Sequence, residues 1–307
     1  MNDFGFPLRP PNHPLYLNTE FNGHMFSTKR YDNVVQVAEH VLRHARVHDQ
    51  LAGDDRYAGG IAWCAFDYAT HRNFGSGDRI CYHGVSDIFR LPKPAAGFYR
   101  SQCEPSEEVV LEPGFWYSCG DRPSAGGPGV VPICSNCDHL KVYYGETLIL
   151  EADPDRQTYP HLKHPPFVVD LTHLSFGEWA DLKIEGYLGG KLAITRTLSG
   201  SGTDDMLVVR PDDLELDGDG RDATRVVLAV TDRYGNPRPF ASGAVQLSLS
   251  GPGEIVGENP FALSGGAGAV WVKARQGPGI IRLEARHQYL GAQTAEIRVR
   301  AVAPEEV

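Results

Sequence analysis

Two short apolar runs separated by one helical stretch constrain this chain most. The first, Leu15-Tyr16-Leu17-Asn18-Thr19-Glu20-Phe21-Asn22-Gly23-His24, reads as a buried strand that delivers one carboxylate, Glu20, into a polar loop. From a start near Tyr31-Asp32, Val34, Ala38, Val41 and Ala45 recur at helical spacing, with Val35 and Leu42 beside them. Gly59-Gly60 then precedes a second run, Ile61-Ala62-Trp63-Cys64-Ala65-Phe66-Asp67-Tyr68, which is expected as one strand carrying both Trp63 and Asp67. A long Gly-containing loop from His71 to Asp87 and a helix over about Pro94 to Gln102 complete a β-loop-α-β-loop-α pattern. Such units are the repeats of a (β/α) barrel, which places its reactive groups at the carboxyl ends of strands, where Glu20 falls.

Two repeats cannot close a barrel, which needs eight in about 250 residues. The expectation is therefore the last two β/α units of a partial (β/α)8 TIM barrel over 1–104, whose remaining amino-terminal half lies outside this chain. After about residue 105 the texture changes to short alternating runs between Gly, Pro and Asp turns, such as Leu140-Lys141-Val142-Tyr143-Tyr144 and Asp181-Leu182-Lys183-Ile184-Glu185. That pattern predicts a β-sandwich over 105–203. Beyond Ser199-Gly200-Ser201-Gly202-Thr203 a second all-β unit is predicted over 204–307. Its runs include Arg225–Val230, Ala269–Lys273 and Ile280–Ala285, and its turn Thr231-Asp232-Arg233-Tyr234-Gly235-Asn236-Pro237 is typical of bacterial immunoglobulin-like modules. The fold class is thus multidomain: a partial barrel followed by two immunoglobulin-like sandwiches.

The formal net charge of −10 lacks the basic footprint of a nucleic-acid surface. No apolar run reaches membrane-spanning length. The first residues, Met1-Asn2-Asp3-Phe4-Gly5-Phe6-Pro7, have no secretory-signal pattern, which leaves the compartment of a longer parent open. Six cysteines, Cys64, Cys81, Cys103, Cys119, Cys134 and Cys137, are too sparse for a disulfide scaffold. Cys134 and Cys137 form a lone CxxC without the second ligand pair of a zinc site, so all six are read as free thiols, and neither metal nor cofactor is expected.

Three stretches carry a family resemblance. NTEFNGHMF resembles the nucleophile segment of glycoside hydrolase family 2, the bacterial β-galactosidase type; GGIAWCAFDYATH resembles its eighth barrel strand, and GSGDRICYHGVSD the loop that follows. SNCDHLKVYY, PHLKHPPFVVDL and DLKIEGYLGGKLA are similar to the sandwich after that barrel, and ELDGDGRDATRVVLAVTDRYGNP and GPGEIVGENPFALSGGAGAVWVKA to the terminal immunoglobulin-like domain. The resemblance implies that Glu20 is the nucleophile of a retaining glycosidase and that Trp63 walls the sugar subsite. It also implies that Asn22, His24 and His83 supply polar sugar contacts; from the sequence itself, Thr19, Asn22 and His24 are candidate neighbours to orient Glu20.

Each residue has a plainer reading: a strand-end Glu in a surface ion pair, a core tryptophan, solvated or capping loop histidines. Asp67 is read as structural, bonding loop backbone. Tyr159, His161, His164 and Trp179 could suggest a glycan-binding face but are read as packing. Retaining enzymes use two carboxyl groups about 5 Å apart. In this family the acid/base Glu comes from an Asn-Glu pair, and none occurs in these 307 residues. The chain alone is therefore expected to be inactive as a glycosidase. The implied partner is a β-galactoside-containing oligosaccharide or glycoconjugate, together with the missing barrel half; homo-oligomerisation stays open. A β-glucuronidase or β-mannosidase on the same scaffold, and a non-catalytic glycan-binding or adhesion protein, are the alternatives.

Overall fold

The computed structural model describes residues 2–3, 6–22, 26–70, 73, 77–118, 127–174 and 180–302. Among them the chain is mostly β, with two helices, and it divides into two compact units, Met1–Ser201 and Gly202–Val307.

The first unit opens with strands β1 (Asn2–Asp3), β2 (Tyr16–Phe21) and β3 (Tyr57–Ala62), which form a parallel sheet in the order β1-β2-β3. Helix α1 (Val34–Ala52) makes the crossover between β2 and β3. It begins two residues later than the Tyr31-Asp32 start expected, because Asn33 caps it: its backbone stays extended while its side chain accepts the N–H of Gln36 at 2.9 Å. The buried face of α1 is Val37, Ala38, His40, Val41, His44, Ala45 and Val47. Val35, expected beside the apolar stripe, is 73% exposed, whereas two histidines occupy positions on the buried side. A reading of apolar spacing alone overlooks them.

The second apolar run does not form the single strand expected over 61–68. Strand β3 ends at Ala62, in register with Phe21, the last residue of its parallel partner β2. Past that point β2 offers no further ladder. The Trp63 N–H still reaches the Phe21 carbonyl at 2.8 Å, and residues 64–67 then bond a different segment, 83–86. Trp63 and Asp67 are therefore loop residues. Short strands β4 (Tyr68–Ala69) and β5 (Ile80–Cys81) pair antiparallel within the loop, and α2 (Pro94–Arg100) starts at Pro94, whose missing N–H costs nothing at that position.

Seven further strands follow: β6 (Leu111–Pro113), β7 (Val130–Ser135), β8 (His139–Tyr144), β9 (Thr147–Ala152), β10 (Phe167–Asp170), β11 (Leu182–Leu188) and β12 (Lys191–Leu198). They make two antiparallel sheets, β10-β7-β6 and β12-β11-β8-β9. Ile133 and Phe167 from one, with Leu140, Val142, Leu182 and Ile184 from the other, are all fully buried in one core, which identifies a sandwich. Ala38 of α1 is buried in the same core.

The second unit contains β13 (Met206–Pro211), β14 (Glu215–Asp217), β15 (Ala223–Thr231), β16 (Ala244–Ser250), β17 (Gly253–Val256), β18 (Phe261–Ala262), β19 (Ala267–Ala274), β20 (Gly279–His287) and β21 (Gly291–Arg300). Its sheets, β13-β15-β19-β17 and β14-β21-β20-β16-β18, alternate inward Val226, Leu228, Val272, Ile281, Leu283 and Ile297 with outward polar residues, as an immunoglobulin-like sandwich does. The turn after β15 is held by Asp232, whose Oδ1 accepts the N–H groups of Tyr234 and Asn236 at 2.9 and 2.8 Å, with Gly235 at φ 84°.

Candidate active site

Glu20 lies one residue from the carboxyl end of β2, half-buried, with its backbone N–H on the buried Asn18 Oδ1 at 3.0 Å. Asn22 follows immediately. It adopts a left-handed φ of 56°, which asparagine tolerates better than most residues, and is 8% exposed. The parallel register sets Ala62 against Phe21, so Trp63 leaves β3 beside Glu20 and Asn22. Its indole Nε1 donates to the Tyr68 hydroxyl at 3.0 Å, with the rings edge-on at 5.9 Å, and the side chain remains 37% exposed. A partly exposed indole held at its nitrogen offers an apolar surface of the kind a sugar C–H face packs against. The Trp63–Cys64 peptide is cis.

Cys64 N–H then donates to the His83 carbonyl at 3.3 Å, which brings the His83 segment into the same loop cluster. The His83 side chain is 7% exposed. Glu20, Asn22 and Trp63 thus lie where two adjacent parallel strands end, with the His83 backbone bonded to Cys64, the residue after Trp63. His24 lies outside the described residues, as do Cys119 and Trp179.

Two buried ion pairs stand behind these loops and were not singled out as such by sequence reasoning. Lys93 Nζ meets Asp67 Oδ1 at 2.7 Å, both side chains almost wholly enclosed, and also donates to the Thr28 carbonyl at 2.6 Å. Burial pushes the Asp67 carboxyl up to about 6 despite the Lys93 ammonium and the Gly84 N–H; burial likewise lowers Lys93. The expectation that Asp67 bonds loop backbone matches its contact with Gly84 N–H at 2.9 Å. Arg30 approaches Asp87 at 3.6 Å, and Asp87 Oδ1 accepts the N–H groups of Phe89 and Leu91.

Under β2 runs a histidine stripe. His44 hydrogen-bonds Tyr99 of α2 at 2.8 Å and His40 at 3.4 Å, and His48 reaches Tyr99 at 3.3 Å. The fully buried Phe21 packs edge-on to His48 at 5.5 Å. Burial first, then neighbouring positive charge, lowers His44 to about 3; burial lowers His48 to about 4, and His40 falls well below its ordinary value. The i, i+4 spacing of these three residues was legible in the sequence; their burial was not.

Elsewhere, Tyr159 is buried, and His161 uses its backbone N–H on Asp49 Oδ1 at 2.8 Å. The described cysteines, Cys64, Cys81, Cys103, Cys134 and Cys137, are free thiols. Among the described residues no helix is long and apolar enough to cross a membrane.

Residues 207–296 match the family model described as glycoside hydrolase family 2 C-terminal domain 5. A β-galactosidase of Thermoanaerobacterium thermosulfurigenes is 43% identical over 260 residues, 82% of this chain and 36% of that protein. One of Thermoanaerobacter pseudethanolicus is 38% identical over 310 residues, 95% of this chain and 41% of that protein. A β-galactosidase sequence of Rhizobium radiobacter is 34% identical over 128 residues, 40% of this chain and 93% of that sequence. A crystal structure of a β-glycosidase from Bacteroides vulgatus shares the fold, with a TM-score of 0.69 at 17% identity over 84% of this chain and 33% of that one. These matches define the glycoside hydrolase class. The chain belongs to glycoside hydrolase family 2, with relatives of the bacterial β-galactosidase type. It spans about two fifths or less of the length of the first two relatives.

Proposed function

We propose that this chain carries the nucleophile end of a retaining β-galactosidase site. Glu20 attacks the anomeric carbon of a terminal β-galactoside and forms a covalent glycosyl-enzyme. The Trp63 indole walls the sugar, and Asn22, His24 and His83 supply polar contacts. The observation that carries the reading is the convergence of Glu20, Asn22 and Trp63 where β2 and β3 end together, sealed by the Trp63 N–H on the Phe21 carbonyl. A carboxylate at a parallel strand end, beside a partly exposed aromatic, is an arrangement such chemistry uses.

The division proposed is residues 1–104 as the last two units of a (β/α)8 barrel, 105–203 as a sandwich and 204–307 as the immunoglobulin-like domain. One feature supporting the barrel assignment is the apolar character of the small parallel sheet: Leu17 and Ile61 are 46% and 55% exposed, whereas parallel sheets are ordinarily covered on both faces. The acid/base carboxyl that protonates the leaving group is proposed to come from outside this chain, since no Asn-Glu pair occurs in it. Loss of that proton donor alone removes on the order of a hundredfold in rate or more, so the chain by itself is proposed to be inactive.

The test is covalent trapping. Protein produced together with the coding sequence upstream of Met1 is treated with an activated 2-fluoro-galactoside, and the labelled peptide is mapped. Label on Glu20 is the expected result, with no label on this chain alone. A folded, active protein labelled elsewhere overturns the nucleophile assignment. Labelling by the 2-fluoro-glucuronide in preference to the galactoside overturns the sugar assignment.

A further inference from the structure

Glu20 sits at the end of β2 and Trp63 and His83 on two loop segments, and a reactive geometry needs the three held to within a fraction of an ångström. The backbone ladder fixes only part of this. Trp63 is tied to the end of β2, residues 64–67 to residues 83–86, and on the loop after β2 the Thr28 N–H donates to the Tyr82 carbonyl at 2.8 Å.

One residue reaches all three segments. Lys93, at the start of α2, donates through Nζ to the Thr28 carbonyl on the loop after β2 and to Asp67 Oδ1 on the loop after β3. The same Asp67 oxygen accepts the Gly84 N–H, the residue next to His83, and the Lys93 backbone N–H donates to the Val85 carbonyl. Lys93 is 2% exposed and Asp67 4%. Gly84 leaves no room for a side chain, since a Cβ there would come within 2.3 Å of the Asp67 backbone nitrogen. The junction is thus a buried node where three segments meet. A surface ion pair is worth little and a buried one often adds nothing net to stability. A role in fixing geometry accounts for the placement of this one.

We propose that the Lys93–Asp67 pair is a positioning clasp that holds the Glu20, Trp63 and His83 loops in register for attack on the sugar; this rests on the reading of Glu20 as nucleophile. Both residues are buried, away from the surface a sugar could reach. The clasp acts through the Thr28 carbonyl and the Gly84 N–H.

Lys93→Met removes both Nζ donations while keeping the length of the stem, and Asp67→Asn keeps a neutral acceptor for the Gly84 N–H. Hydrogen exchange on this 307-residue chain reads the clasp directly. In Lys93→Met the amides of Gly84, Val85 and Ser86 are expected to exchange roughly tenfold faster or more, while those of α1 keep their protection. Asp67→Asn is expected to fall between that variant and the unaltered chain. The second readout is inactivation of the upstream-extended protein by the 2-fluoro-galactoside. The bimolecular inactivation rate in Lys93→Met is expected to drop by on the order of a hundredfold, carried by the maximal rate more than by the binding constant. Unchanged loop exchange, or exchange raised equally throughout α1, overturns the clasp. Loosened loops with an unchanged inactivation rate overturn its positioning role. If the unaltered protein is never labelled at Glu20, the nucleophile reading fails and the positioning role fails with it, while the exchange data still record whether the clasp holds the loops.

Discussion

Acid should destabilise the first unit through the histidines beneath β2. His44 is fully buried and held neutral, lowered to about 3 in the folded chain against an ordinary 6.5; His48 is lowered to about 4. Above pH 6.5 both rings are neutral in folded and unfolded chains alike and titration adds no difference. As pH falls below 6.5 the unfolded chain takes up protons that the folded chain refuses, so stability is lost progressively towards pH 3–4. At pH 5 the loss is about 2 kcal/mol for each of the two, and His40 acts in the same direction. Asp67 opposes it: raised to about 6, it binds a proton in the folded chain before an unfolded carboxyl does, and Asp87 is shifted the same way. The net slope is therefore a small difference, and the decisive quantity is the change of slope on substitution. His44→Gln removes one group that titrates only when unfolded. Between about pH 6 and 4.5 the slope of unfolding free energy against pH should fall by about 1.4 kcal/mol per pH unit, even though the variant is less stable at pH 7. Urea melts at half-unit pH intervals, followed by a signal from the first unit, measure it. A variant whose slope equals that of the unaltered chain would refute the reasoning, because His44 would then take up its proton inside the fold.

Other outcomes follow from the same structure. Phe21→Ala empties a fully buried site at the end of β2 and should cost about 3–5 kcal/mol in the first unit, read as a lowered urea midpoint. Glu20→Gln should abolish covalent labelling of the upstream-extended protein while leaving the melting curve of the 307-residue chain within about 0.5 kcal/mol, since Glu20 is half-buried at a strand end. Tyr68→Phe removes the acceptor of the Trp63 Nε1–H and, in the upstream-extended protein, should weaken galactoside binding severalfold, visible as a raised KM with a smaller change in kcat. Asp232→Ala removes the acceptor of two turn N–H groups and both side-chain bonds from Asn236; it should destabilise the second unit by about 1–3 kcal/mol, seen in calorimetry of residues 202–307.

The strand around Glu20 and both helices were legible because each depends on local pattern: alternating or apolar runs for strands, a 3.6-residue stripe for α1, proline at the start of α2. The sandwich strands were legible for the same reason. The end of β3 was not, because an apolar run continues through Phe66 while the partner strand stops at Phe21, and only the partner's length decides where a ladder ends. The histidine stripe escaped because burial of a polar ring depends on what packs over it, here Phe21 and Tyr99. The clasp escaped because Thr28, Asp67, Gly84 and Lys93 are spread over 65 residues, and nothing local marks them as neighbours.

By itself the sequence determined the kinds of element, their order, and the family, since these reside in residue type and short-range spacing. The tertiary structure alone decided which loops meet, where β3 stops, and which charged and titratable groups are taken out of water. Those outcomes are set by contacts between distant segments, and burial of an ionisable group has no local signature.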